Sequence, residues 1–176
     1  MRIAYYGGQT AGLVCLLGLL ADDKHKVVCV YPQDQTMLEV ADPYSIPVRT
    51  IVGLKTGEEV GWLKANADLL LCCHARSILP AQMVDNFPCL NLHPSLYRYK
   101  GADPLGKMIE ENNTLASVAS HWMVAEVDAG PMVVEKYKVI PSLATLSHAD
   151  IYRLLYPLYL QVMFESLKIV EVVSGR

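Results

Sequence analysis

A chain of 176 residues is ample for one globular domain and short for two. Its 52% hydrophobic content supports a sizeable core, while a net charge of −3 excludes a general phosphate-backbone binder and leaves a small phosphorylated ligand open. Five cysteines, of which only Cys72 and Cys73 are neighbours, give neither a disulfide framework nor zinc-ligand spacing, so the chain reads as a reduced, cytoplasmic protein without a metal.

Residues 2–6 read as a buried strand. The apolar stretch that follows is not a secretory leader, because Gly7-Gly8-Gln9-Thr10 interrupts it, and no run is long enough to span a bilayer. Gly7-Gly8 makes a turn, and Thr10 caps a helix that runs to Leu20. Lys26 to Tyr31 is a second buried strand, so this unit predicts a parallel sheet with a right-handed crossover. Gly8, Gln9 and Thr10 are either a plain tight turn or a set of N–H groups offered to a phosphate at the helix start. Pro32 to Pro47 is polar and turn-rich, with a short helix around Met37 to Ala41, and Val48 to Val52 reads as a short strand. Gly57 to Ala65 predicts an amphipathic helix with Val60, Leu63 and Lys64 spaced along one face. Glu58, Glu59 and Lys64 read as solvated charges.

Asp68 to Cys73 is a buried strand that runs into His74-Ala75-Arg76-Ser77-Ile78-Leu79-Pro80. Cys72 and Cys73 read as apolar filling of the sheet interior. Pro80 to Asn86 is a short helix, and the next strand ends near His93 because Pro94 follows. Tyr97-Arg98-Tyr99-Lys100 lies in a loop which, with this acidic balance, lines a small-molecule site instead of forming a nucleic-acid patch. Ala102 to Asn112 is a helix, Thr114 to Val124 a long strand carrying His121, and Met132 to Ile140 an edge-type antiparallel strand. His148 to Val173 is one amphipathic helix, capped by Thr145 or Ser147, in which Pro157 predicts a kink or an interruption. Tyr152, Tyr156 and Tyr159 read as core or interface. The sum is a single α/β domain over 1–176: a Rossmann-like, open, mostly parallel twisted sheet with helices on both faces, an antiparallel edge strand and a C-terminal helix.

Asn91 and His93 stand two apart on a strand, so they point to the same side. Polar pairs at the carboxyl end of a strand are where open α/β sheets place their chemistry. Asp128 lies in the turn context Val127-Asp128-Ala129-Gly130-Pro131. A carboxylate beside His93 favours its imidazolium form, and an imidazolium with an Asn amide can hold a developing oxyanion. Asp128 can take or relay a proton. That set suits acyl transfer to a nitrogen nucleophile. Taken singly, the Asn-x-His pair is an ordinary strand end, and the Asp before Gly an ordinary turn residue.

Asn91-Leu92-His93-Pro94-Ser95-Leu96, then Tyr99-Lys100-Gly101-Ala102, then His121 and Asp128-Ala129-Gly130-Pro131, in this order and at these gaps, resemble the folate-dependent formyltransferase family. That family includes the glycinamide ribonucleotide, methionyl-tRNA and amino-sugar formyltransferases. The likeness is weak before residue 69 and good from there to about residue 139. It implies that Asn91, His93 and Asp128 are catalytic, that 10-formyltetrahydrofolate is the cosubstrate and that no metal takes part. It places His74, Ala75, Arg76, Ser77, Ile78 and Val127 against the folate, with His74 standing where relatives usually have an aromatic or apolar residue. It places Gly8, Gln9, Thr10, Tyr99 and Gly101 at the acceptor. His121 is equally well read as a half-buried strand histidine or as catalytic.

The implied reaction is formyl transfer to the primary amine of a small acceptor, a ribonucleotide amine or a nucleotide-linked amino sugar. Hydrolysis of the donor and a non-catalytic folate- or partner-binding role stand as alternatives. The ending after the last helix favours a small acceptor, whereas Tyr99-Lys100-Gly101-Ala102-Asp103-Pro104 is more similar to the tRNA and sugar types. The expected partners are small molecules, with neither nucleic acid nor membrane, and a homodimer is left open.

Overall fold

Strand alternation decides the layers. In β1 (Arg2–Gly7), Ile3 and Tyr5 enter one core, and Ala4 and Tyr6 enter the other. In β3 (Leu69–Cys73), Leu69, Leu71 and Cys73 follow the first set, while Leu70 and Cys72 follow the second. A strand apolar on both faces must be covered on both, so helices are required on each side. The computed structural model describes residues 1–141 and 143–175.

The six strands are ordered β2-β1-β3-β4-β5-β6, where β2 is Lys26–Pro32, β4 Cys89–Pro94, β5 Leu115–Trp122 and β6 Met132–Val139. The pairs β1–β2, β1–β3 and β3–β4 are parallel, and β4–β5 and β5–β6 are antiparallel. The first core takes side chains from α1 (Gln9–Leu20), α2 (Gln35–Ala41), α5 (Pro104–Glu110) and α6 (His148–Ser174). The second takes Val60 and Leu63 from α3 (Gly57–Asn66) and Met83 from α4 (Ala81–Val84). The chain leaves β1 towards β2 and returns across β1 to reach β3, so the order reverses between β1 and β3. A crevice opens at their carboxyl ends.

Several local expectations change. The residue before α1 is Gly8, which offers no side-chain cap, and Thr10 already lies inside the helix. Val48 to Val52 is not a strand: Val48 makes a lone parallel bridge to Val30, and the chain turns at once into a 3₁₀ turn at Gly53–Lys55. Glu59 is buried instead of solvated, because it accepts hydrogen bonds from Tyr31 Oη at 2.5 Å and Arg49 Nη2 at 2.8 Å. Lys64 lies on the exposed side of α3. Pro157 does not interrupt α6; it sits on the solvent side, where water can satisfy the carbonyl its missing N–H leaves free. Ser147 caps α6 through a reciprocal box with Asp150. Cys15, Cys29, Cys72, Cys73 and Cys89 are all free and buried. No helix among the described residues is long and apolar enough to cross a membrane.

Candidate active site

β4 carries Asn91 and His93 to one side at the end of the parallel set. The antiparallel register of β5 then sets His121 directly across from Asn91, and the Asn91 Nδ2 lies 3.2 Å from His121 Nε2. After β5 the chain swings out and returns, with Trp122 N–H donating to Pro131 O at 2.9 Å. Only glycine fits at 130, where a Cβ would stand 1.8 Å from Trp122 O. This return brings Asp128, with φ 52° in the left-handed region, over both imidazoles. His93 Nε2 is 3.2 Å from Asp128 Oδ2, and His121 Nε2 is 3.4 Å from Oδ1. The Gly101 amide donates to Oδ2 at 2.8 Å.

The partners fix the protons. His93 Nδ1 lies 2.8 Å from Pro94 O, and its Nε2 faces Gly101 O at 3.3 Å as well as Asp128. All three partners accept, so the doubly protonated ring satisfies them together. His121 Nδ1 donates to Trp122 O at 3.1 Å. Its Nε2 stands between a donor and an acceptor: neutral, it accepts from Asn91, and charged, it donates to Asp128. Burial works to raise the Asp128 carboxyl. The hydrogen bonds from His121 and His93, the His93 charge and the Gly101 amide outweigh it and hold the group well below the ordinary carboxylate range.

These groups line a cleft of about 720 Å³, within the usual size of a ligand site. One stretch of lining is apolar: Ile78, Leu79, Met123, Val124, Ala125 and Val127, with Ile78, Val124, Ala125 and Val127 exposed. Another is polar: Gln9, His74, Asp103 and Tyr152. His74, at φ 54°, joins three elements. Its Nδ1 donates to Gln9 Oε1 at 3.0 Å, and its Nε2, when the ring is neutral, accepts from Tyr159 Oη at 2.9 Å. Burial, with the nearby charges of His93 and Arg76, pushes that imidazole down to about 4. The following loop is anchored from below. Arg76 N–H donates to Gln33 Oε1 at 3.1 Å, and Ser77 N–H donates to Tyr6 Oη at 2.9 Å.

The formyl transferase signature matches residues 1–155. The chain belongs to the formyl transferase family. The methionyl-tRNA formyltransferase of Caulobacter vibrioides is 30% identical over 156 residues, covering 80% of this chain and 50% of that protein. The chain thus spans about half the length of the curated relatives it matches. Among solved structures, glycinamide ribonucleotide transformylase 1 from Symbiobacterium toebii superposes with a TM-score of 0.82 at 19% identity, over 100% of this chain and 89% of that one. A sugar N-formyltransferase from Shewanella superposes at 0.74 with 15% identity, over 99% and 70%. These structural likenesses carry the formyl transferase fold.

Within this formyl transferase domain, the cleft gathers Asn91, His93, Asp128, His74, Ala75, Arg76, Ser77, Ile78, Val127, Gln9 and Gly101. Gly8, Thr10 and Tyr99 do not line it. Gly8 is buried with its N–H on Cys73 O at 3.3 Å. Thr10 is exposed on the first turn of α1. Tyr99 is 3% exposed and donates from Oη to Glu111 at 2.8 Å, because the 95–101 loop folds its ring inward against α5. Among the lining residues not assigned to the site from sequence are Asp103, Met123 and Tyr152, the last read as core or interface. The spacing of Tyr152 and Tyr159, two helical turns apart, was the available signal, since it sets both on the face that meets His74.

Proposed function

We propose that this domain transfers the formyl group of 10-formyltetrahydrofolate to the primary amine of a small acceptor. The observation that carries the reading is the Asp128 carboxylate held between His93 and His121, beside Asn91, on the wall of a cleft. The apolar stretch around Ile78, Val124 and Val127 suits a flat, weakly polar ring, and so supports the folate side there.

In the reaction, a neutral amine attacks the formyl carbon. The new carbon–nitrogen bond forms, and the carbonyl oxygen becomes an oxyanion. Asn91 N–H and the charged His93 ring stabilise that oxyanion. The bond from the carbon to the folate nitrogen then breaks, and tetrahydrofolate leaves with a proton in place of the formyl group. A carboxylate held as far below its ordinary range as Asp128 is a poor proton acceptor. Its part is therefore to keep His93 charged and to orient the water that carries the amine proton away. A reduced cytoplasmic setting is supported by the five buried free thiols.

The test is a screen of amines that follows tetrahydrofolate release, with ribonucleotide amines and nucleotide-linked amino sugars first. Release that depends on an amine supports transfer. Rapid formate release from the donor alone would assign hydrolysis instead.

A further inference from the structure

From sequence, the turn before α1 is either a plain tight turn or a seat for an anion. In the structure that seat is filled from within. The Gln9 amide donates to Asp34 Oδ2 at 2.5 Å, while Asp34 Oδ1 accepts the Met37 amide at 3.2 Å and so caps α2. The carboxylate presses so close under Gly8 that a Cβ there would lie 2.9 Å from Oδ2. Gln33 locks the approach. Its N–H donates to Gly7 O at 2.8 Å, and its Oε1 accepts from Tyr6 Oη at 3.0 Å. A fixed negative charge thus occupies the positive end of the α1 dipole, where a ligand phosphate would otherwise bind.

The side chains nearby do not compensate. Gln9 is uncharged, and burial keeps His74 neutral where it sits between Gln9 and Tyr159. Burial pushes the Tyr152 phenol up to about 12, with the Asp103 carboxylate adding to it. Arg76 is the only lysine or arginine among the described lining residues, and it is exposed.

We infer that Asp34 determines acceptor specificity: its carboxylate stands in the anion seat at the start of α1 and turns away amines that carry a phosphate there. Gln9, His74 and Tyr152 are left to meet uncharged hydrogen-bonding groups such as hydroxyls. The inference takes its substrate from the formyl-transfer reading above, and its test separates the two.

The full chain and two variants are compared, Asp34→Asn and Asp34→Ser; both remove the charge, and serine keeps a capping oxygen for α2. Inorganic phosphate is titrated while the Gln9 and Thr10 amide resonances are followed. Turnover is measured with a matched amine pair, glycinamide riboside and its 5′-phosphate. The parent should show no saturable amide shift and should favour the riboside in kcat/KM. Either variant should bind phosphate saturably and shift the preference towards the phosphorylated amine by about tenfold or more, as expected when a like-charge contact is removed. Saturable phosphate binding by the parent at these amides, a parent preference for the phosphorylated amine, or variants that match the parent in both assays would overturn the assignment. If neither amine is formylated, the transfer reading loses that acceptor class, and the phosphate titration still decides the role of Asp34.

Discussion

Asp34 and Asp128 are two carboxylates at the same rim of one sheet, and each receives an amide from a loop in tension. Gln9, beside Asp34, has φ 55°, and Asp128 itself has φ 52°. Their partners differ. Asp34 accepts from the amides of Gln9 and Met37, groups whose protons do not move. Asp128 accepts one amide, from Gly101, and faces two imidazoles, groups whose protons do. The first arrangement fixes geometry and the second can work on a substrate. What sets a proton-handling carboxylate apart here is the chemistry of its partners, since residue type and partial burial are shared. Left-handed backbone at a non-glycine residue costs of order 1 kcal/mol or more. Of the seven such residues described, Gln9, His74, Asp103 and Asp128 line the cleft, so the strain is concentrated where side chains must be aimed.

The comparison is broken most strongly by removing one of the proposed oxyanion donors on the Asp128 side. His93→Ala and Asn91→Ala should each slow formyl transfer by about a hundredfold to a thousandfold while the protein stays folded, read by tetrahydrofolate release and circular dichroism. Next comes the turn that aims Asp128. Gly130→Ala drives a methyl against Trp122 O, so the 123–131 return must shift. Overpacking of this kind costs about 1–3 kcal/mol of stability, and a urea melt should show it together with a clear loss of turnover.

A pH dependence of stability is expected at His74. Its folded pKa of about 4 lies below the unfolded value of about 6.5, so the unfolded chain binds the extra proton. Stability should therefore fall as pH drops from about 6.5 towards 4, and His74→Gln should flatten that slope in urea midpoints taken across the window. The Asp128 carboxyl works over a lower range. Its contribution is complete above the ordinary carboxylate pKa of about 4 and is lost only as pH falls further.

Much of this molecule is legible in the sequence. Continuous apolar runs at β1 and β3 demanded a two-sided sheet, and Asn91 with His93 had to share a face. The motifs around Asn91 and Asp128 pointed to the family. What could not be read depends on contacts between distant segments. Glu59 looks solvated until Arg49 and Tyr31 are known to reach it. The loop of Gly8, Gln9 and Thr10 looks free to bind an anion until Asp34, more than twenty residues later in the chain, is seen to fill it. His121 gains its place from the β4–β5 register, which no local pattern specifies. Tyr99, in a motif that points to the acceptor, is turned inward by its bond to Glu111.

The most direct trial of the central claim is Asp128→Asn, compared with the parent in two measurements: calorimetric binding of an unreactive folate analogue, and tetrahydrofolate release from 10-formyltetrahydrofolate with an accepted amine. The variant should bind the analogue much as the parent does and turn over about a hundredfold to ten-thousandfold more slowly. Turnover at the parent's rate would contradict the claim that this carboxylate, set between His93 and His121, does the work of the cleft.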